Sequence, residues 1–458
     1  MKNHHATVVG LEVALACILL LLSADFVHAQ QLSQIDKIRL GKAIISTYPK
    51  DTAVIEVNLN KHKYVNSMVG FVHAMDAHRP LSSKIEPLKP KIWRSGTLTS
   101  QIYKRTKSFN ARQILVLSDL WGYPGKDSKG ERWNPPYQNY SEWEKFVEKI
   151  AIRAKNQPVI FEIWNEPDGS NFWRGTKSQL LETNVRASKV LEKILGSNVE
   201  IAGPSLERYN YNAIIEYVDY FKRAGARLTC LTWHEFRSDI LLPKMSEDIC
   251  RIGEAVIKPN EKIGLKEIII GEYDSEQSQF RPGSLLAYLY YFEKGGCSGA
   301  AKACWNEPDG VNNCWNCSLD GLLNAQGETR IVWWLYKLYS ESIVDRVDAE
   351  SNDPRVIAFA SHNYQTQILV GYCGAKEICP QSKKITVKIN GLRVKPGESV
   401  SFNVKLLERD NLKACRELST VYTGKTNWQG EVCILELPAL RLFDAFAISL
   451  ASSSKQKN

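Results

Sequence analysis

Four glutamates stand where a carboxyl group could do chemistry, at the end of an apolar run that gives way to a polar loop. Glu166 follows Val159-Ile-Phe-Glu-Ile-Trp-Asn165 and is halted by Pro167 and Gly169; Glu235 follows the run Leu228–His234; Glu272 closes Ile268-Ile-Ile-Gly271; and Glu307 lies in a second copy, at 305 to 310, of the hexapeptide Trp-Asn-Glu-Pro-Asp-Gly. Two carboxyl groups on opposite sides of an anomeric carbon suffice to cleave a glycosidic bond, one protonating the leaving oxygen and the other attacking carbon or activating water. Asn165 sets an amide beside Glu166. Glu272 is the best nucleophile, because its strand is apolar throughout and Gly271 permits close backbone approach.

Carboxyl groups so placed need a frame that gathers strand ends at one mouth. From Met68 onward, strand-like runs alternate with amphipathic helical stretches, the order of a parallel sheet covered by helices. The runs are Val69–Ala74, Lys91–Ser95, Gln113–Ser118, Val159–Asn165, Val199–Gly203, Leu228–His234, Glu267–Glu272 and Ala300–Asn306; eight is the number that closes a (β/α)8 barrel. Helices are expected over Ser141–Lys155, opened by a Ser141/Glu144 capping box, over Lys177–Leu195 and over Glu328–Ile343. No Gly-x-Gly-x-x-Gly follows the first run, so a dinucleotide site has little support. Beyond 345 the texture turns to short alternating runs, Val356–Ser361, Thr366–Tyr372, Lys384–Ile389, Ser399–Leu407 and Phe443–Leu450, which read as a β-sandwich.

In barrel order Glu166 ends the fourth strand and Glu272 the seventh, so they face one another across the mouth, while Glu307, on the eighth, is a neighbour of Glu272 and at most a substrate contact. Glu162 shares the strand parity of Glu166 and points into the barrel, where it is read as the partner of a buried arginine. Trp121, Tyr123, Trp133, Tyr137 and Trp173 crowd the loops after the third and fourth strands, where rings can stack on sugars.

This pattern resembles the clan A glycoside hydrolases. Within that clan Phe161-Glu-Ile-Trp-Asn-Glu-Pro-Asp168 with Phe172-Trp-Arg-Gly175 looks most like glycoside hydrolase family 39, the group of β-xylosidases, α-L-iduronidases and exopolysaccharide hydrolases. The resemblance covers about residues 66 to 345, and the accessory β-sandwich is similar too. It implies Glu166 as general acid/base, Glu272 as nucleophile and Asn165 on the sugar 2-hydroxyl. It further implies Arg94 beside the nucleophile holding it ionised, His234 and His73 as substrate contacts, and Trp305 as an apolar face under the sugar ring. It implies a retaining double displacement without metal or organic cofactor. One departure stands out: Phe236 occupies the place where the clan often has a tyrosine touching the nucleophile, and Tyr273 could substitute for it. The rival readings are an inactive sugar-binding pseudoenzyme and, on the same fold, an inverting hydrolase or a transglycosylase.

The remaining features concern compartment and partners. Lys2, His4 and His5, the apolar Val13–Leu22 and the small-residue site Val27-His28-Ala29 read as a secretory signal over 1–29, so the expected location is secreted or lysosomal. The mature chain divides into an N-terminal segment 30–65 that packs with the sandwich, a barrel over 66–345, the sandwich over 346–452 and a tail over 453–458. Ten of eleven cysteines remain after signal removal, which suggests disulfides. Neighbourhood pairs Cys373 with Cys379 and Cys415 with Cys433 and leaves the other six open, with a zinc cluster at Cys314-x-x-Cys317 as the sharper alternative. Asn139-Tyr-Ser141 and Asn316-Cys-Ser318 are glycosylation sequons. The formal charge of +9 suits acidic glycans among carbohydrate partners, although the Lys and Arg residues are scattered and not gathered in one run; the secretory compartment argues against nucleic acid, and no segment after the signal is long enough for a membrane.

Overall fold

The computed structural model describes residues 51–73, 75–122, 135–169, 171–363, 365–392, 394 and 397–450. All lie within one compact unit, Pro49–Asn458. The signal stretch, the run Ile35–Ile45 whose apolar spacing predicts a short helix, the tail, Tyr123 and Trp133 fall outside the described residues.

Strand β1, Thr52–His62, buries Ala53, Ile55, Val57 and Leu59 and exposes Glu56, Asn58 and Asn60, the alternation of a sheet with one covered face. Eight further strands form a closed parallel barrel: β2 (Gly70–Val72), β3 (Ile92–Ser95), β4 (Arg112–Val116), β5 (Ile160–Glu162), β6 (Glu200–Leu206), β7 (Cys230–Glu235), β8 (Glu267–Tyr273) and β9 (Gly299–Lys302). Each expected run overlaps one of them, with ends that differ by up to four residues. A strand buried on both faces is apolar throughout, which is why the runs were legible.

One side chain from each strand fills the barrel interior: Val72, Ile92, Ile114, Ile160, Ala202, Cys230, Ile269 and Ala301. The residues between them face outward and join the larger core shared with the surrounding helices. Helix Lys177–Leu195 starts and ends as the pattern predicts, with a capping box formed by Thr176 and Gln179. Helix Tyr140–Ala154 is capped instead by Asn139, whose side chain accepts from Glu142 N, so the expected Ser141/Glu144 box is displaced by two positions. Tyr140 is already helical, which leaves the cap to the residue before it.

Ten strands make the accessory sandwich, as one continuous path in the order β15-β14-β19-β12-β11-β10-β1-β13-β17-β16. Here β10 is Arg346–Ser351, β11 Val356–His362, β12 Thr366–Tyr372, β13 Ser382–Asn390, β14 Ser401–Leu407, β15 Thr420–Lys425, β16 Asn427–Gln429, β17 Val432–Glu436 and β19 Ala445–Leu450; the short β18, Leu440–Arg441, pairs off the path with β13. The N-terminal β1 lies within this sheet, antiparallel to β10 and parallel to β13. The barrel docks on the sandwich through helix Pro282–Gly295. At Gly283 a Cβ would stand 2.3 Å from the carbonyl oxygen of Tyr372, so only glycine lets helix and sheet come this close.

Candidate active site

Two positions along a strand bring the next inward-facing residue. Above Ile92 that residue is Arg94, above Ile160 it is Glu162, and above Cys230 come Thr232 and then His234. Arg94, Glu162 and His234 are all buried. A guanidinium and a carboxylate placed in this layer must find each other. Arg94 Nε lies 3.0 Å from Glu162 Oε1, and Nη2 reaches the same oxygen. Glu162 is therefore the anchor of a buried arginine, as its parity suggested.

Strand β8 breaks the alternation. Trp233 pairs with Ile270 and His234 with Glu272, so the ladder skips Gly271 in a β-bulge. A Cβ on Gly271 would lie 3.0 Å from the His234 ring. The bulge turns Glu272 inward, where its Oε1 accepts from Arg94 Nη1 at 2.6 Å. It also turns Tyr273 outward into the helix layer, where its hydroxyl bonds Tyr336 Oη at 2.8 Å. Tyr273 consequently does not replace the tyrosine missing at Phe236. The Phe236 ring instead bridges His234 and Trp305, at centroid distances of 5.6 and 5.3 Å. Trp305 is oriented by its indole N–H, which donates to Asp274 Oδ1 at 2.8 Å.

Glu166 sits just past β5 with φ +43°, in the left-handed region, a conformation that costs a non-glycine residue about 1–2 kcal/mol. Its amide donates to Ser205 O at 2.9 Å, and its carbonyl accepts from Gly169 N at 2.9 Å, which holds it there. Its Oε1 lies 2.8 Å from His234 Nδ1. Burial lowers the His234 pKa, so the ring is neutral near pH 7. The donor chain then runs in one direction. Arg94 Nη2 donates to Ser205 Oγ (3.5 Å), Ser205 donates to His234 Nε2 (3.4 Å), and His234 Nδ1 donates to Glu166 Oε1. This leaves Oε2 of Glu166 to carry a transferable proton.

Burial raises the Glu166 carboxyl to about 7, with Arg94 and Arg208 opposing and the charges of Glu207 and Glu162 assisting. Burial also raises Glu272, while the charge of Arg94 pulls it back toward the ionised form. Asn165 takes Arg94 Nη2 on its amide oxygen at 2.6 Å and donates its backbone N–H to Ser118 Oγ at 3.1 Å, so its amide NH2 is the group left for a substrate hydroxyl.

Arg94, Asn165, Glu166, His234 and Glu272 thus form one hydrogen-bonded cluster at the C-terminal mouth. Trp305 joins it through Phe236, and His73, with φ +54° at the end of β2, adjoins Arg94. Trp173 lies elsewhere: it packs edge-on against Trp164 and Tyr137 and donates its indole N–H to Thr176 O at 3.2 Å. Glu235 is bound by Arg237 at 2.6 Å and by the Trp233 indole at 2.8 Å, in the wall and not in the mouth. Glu307 is clamped by both terminal nitrogens of Arg330, at 3.0 and 2.6 Å.

Two members of the site carry no sequence signal. Ser205 links Arg94 to His234. Asp119, in the helical turn Leu117–Trp121 after β4, faces the same charge cluster; burial raises its carboxyl to about 7, Arg94 pulls it down, and Glu162 and Glu272 push it up. Its only hydrogen bond among the described residues is a long one, 3.5 Å, to Ser118 Oγ.

Glu166, His234 and Glu272 bring one oxygen or nitrogen each within 4.8 Å of one another, the single group of this kind among the described residues that could hold a metal ion. Its atoms already serve as donors and acceptors to each other and to Arg94, the donor set of an acid–base pair. Cys314 is bonded to Cys304 (S–S 2.11 Å) and is not available to a zinc cluster with Cys317. The expected pairs Cys373–Cys379 and Cys415–Cys433 are not bonded: all four are free thiols, and Cys415 Sγ is turned to Glu417 O.

No protein-family model matches the chain, and no curated protein matches it in sequence. Solved structures do match in fold. N2152 from Neocallimastix frontalis is 17% identical, covers 88% of this chain and 100% of its own, and has a TM-score of 0.69. The GH39 enzyme from Xanthomonas axonopodis pv. citri is 13% identical over 88% of this chain and 98% of its own, with a TM-score of 0.61. A monomeric β-xylosidase from Caulobacter crescentus CB15 is 14% identical over 88% and 100%, at 0.59. The family that the residues around Asn165-Glu166 resemble is thus represented among the structures that share this barrel and sandwich.

Proposed function

We propose that the protein is a retaining glycoside hydrolase. The observation that carries this reading is the pairing of two carboxylates, an oxygen of Glu166 lying within 4.8 Å of an oxygen of Glu272. Retaining hydrolases hold their carboxyl groups ~5–5.5 Å apart and inverting ones ~6.5–9.5 Å. The two are also differently prepared: Glu272 accepts from an arginine that stays charged, whereas Glu166 is held near 7 by burial.

In the first step Glu272 attacks the anomeric carbon and Glu166 protonates the departing oxygen, leaving a glycosyl ester on Glu272. In the second, Glu166 takes a proton from water, the water oxygen bonds to the anomeric carbon, and Glu272 departs as carboxylate. His234 fixes the Glu166 carboxyl, Asn165 receives a sugar hydroxyl, and Trp305 lies under the ring. The substrate is a carbohydrate, in keeping with the glycosidase folds above, and export of the enzyme is supported by its apolar N-terminal stretch.

Proton NMR of the first-released sugar tests the reading: the retained anomer is expected, and the inverted one overturns it. A sugar-binding protein without activity would bind glycans and release no product.

A further inference from the structure

Trp315 is 71% exposed, the largest exposed ring on the loop that follows β9. An isolated exposed tryptophan needs no explanation, but this one is held in place. The loop is closed by the Cys304–Cys314 disulfide. Asn313 fixes it from inside, accepting from Trp305 N at 2.7 Å and donating to Gln279 Oε1 at 3.0 Å. On the other side of Trp315, the Cys317 thiol donates to Asp76 Oδ2 at 3.4 Å and ties the loop to the one after β2. The indole itself lies face to face with His73, at a centroid distance of 4.2 Å and an interplanar angle of 30°. Burial and the charge of Arg94 depress the His73 pKa to about 3, so this is a stack of two neutral rings, and His73 Nδ1 is buried beneath it without a hydrogen-bond partner among the described residues. Ordering a ring so thoroughly while leaving most of it in water stabilises the free protein little; it prepares a flat apolar face for a ligand.

The barrel order says which ligand. Glu166 follows β5, and β9 lies four strands away around the closed barrel, on the facing wall. The acid/base must stand beside the departing oxygen, so the leaving portion of a glycan lies on the β5 side. The sugar being transferred sits over Glu272 and Trp305, and any chain continuing from it in the non-reducing direction runs toward β9 and β2. Resting on the mechanism above, we propose that Trp315, seated on His73, is a stacking platform for a sugar unit beyond the transferred one, so that the site takes glycan chains and not only terminal residues.

The test uses the full chain with Glu272→Gln, which cannot form the ester, and titrates it with xylotetraose, cellotetraose and a hexasaccharide of alternating uronic acid and hexosamine, each against its monosaccharide methyl glycoside. At least one oligosaccharide is expected to bind. Trp315→Ala should lower the ratio of oligosaccharide to monosaccharide affinity about tenfold, and Trp315→Phe should keep most of it, because a ring is retained. Saturation with the oligosaccharide should also shield one tryptophan from iodide quenching, an effect absent in Trp315→Ala. An unchanged ratio in a folded Trp315→Ala protein, or binding by none of the oligosaccharides, overturns the platform. Wild-type protein that binds these chains through Trp315 but hydrolyses none of them would instead overturn the enzymatic reading.

Discussion

An oxygen of Glu166 lies within 4.8 Å of an oxygen of Glu272, yet the two carboxyl groups answer to opposite partners. Glu272 accepts from Arg94 at 2.6 Å, a donor that never gives up its charge, and Glu166 accepts from His234 at 2.8 Å, a donor that burial keeps neutral. The first arrangement favours a carboxylate and the second tolerates a carboxylic acid. Differently prepared carboxyl groups at short range are what a double displacement requires.

Removing either carboxyl group should stop turnover. Glu272→Ala and Glu166→Ala are expected to lose at least about 10³-fold in kcat, with azide restoring activity only to Glu166→Ala and only on substrates with activated leaving groups, as a β- or α-glycosyl azide. Full activity in either variant counts against the assignment.

The pH profile should be bell-shaped. The proposed mechanism needs Glu272 ionised and Glu166 protonated, so kcat/KM should fall as pH drops through the raised pKa of Glu272 and fall again as pH rises past about 7. Stability carries the same sign for Glu166. Its folded pKa is raised from 4.5 to about 7, so its contribution is fully present below pH 4.5 and is lost as pH rises through 7. Denaturant titrations should therefore show Glu166→Gln gaining on wild type between pH 4 and 8, by on the order of 3 kcal/mol.

Arg94 has two duties, as partner of Glu162 in the barrel and of Glu272 at the mouth. Arg94→Met should lower kcat about 10²–10³-fold and shift the acidic limb to higher pH, because Glu272 loses the cation that favours its charged form. A limb that stays in place would argue that Arg94 acts on structure alone.

Asp119 stands beside Arg94, Glu162 and Glu272 with its carboxyl raised to about 7, so it is neutral across the acidic limb. Asp119→Asn, neutral and of the same shape, should leave that limb in place and change only the side of the profile near pH 7. Kinetics across about pH 3 to 8 read this directly, and an acidic limb that moves to lower pH would show that Asp119 is ionised there.

Glu307 repeats the letters of Glu166 and has a different fate. Clamped by Arg330 and buried, it holds an ion pair whose breaking strands the arginine, so Glu307→Ala should cost about 3–5 kcal/mol in denaturant unfolding. At a temperature where the variant is folded, its kcat should match wild type.

The contrast between the two copies shows what was legible in the sequence. The barrel strands could be read because burial on both faces makes them continuously apolar, and the pair Glu166/Glu272 because their order around the barrel sets them across one mouth. Glu162 could be assigned to an arginine from parity alone. Parity failed at Tyr273, because the bulge at Gly271 is a property of the ladder and leaves no mark in the letters beyond the glycine itself. Asp119 was overlooked since it lies three residues past the end of β4, inside a helical turn. The cysteine pairs failed because nearness in sequence does not fix where thiols point: Cys415 and Cys433 lie on different parts of the sandwich.

The placing of β1 has a consequence for how the chain is made. Ile55 bonds across to Ser351 and to Val387, so the first described strand finds its two neighbours only after the whole barrel has been synthesised. At ~5–20 residues per second the ribosome needs roughly 15–60 s to deliver them. Throughout that interval β1 is an apolar, hydrogen-bond-hungry strand without a sheet, exposed to other nascent chains and to the cell's quality control. A chain stopped before β10 would carry, ahead of its barrel, a strand whose two neighbours never arrive.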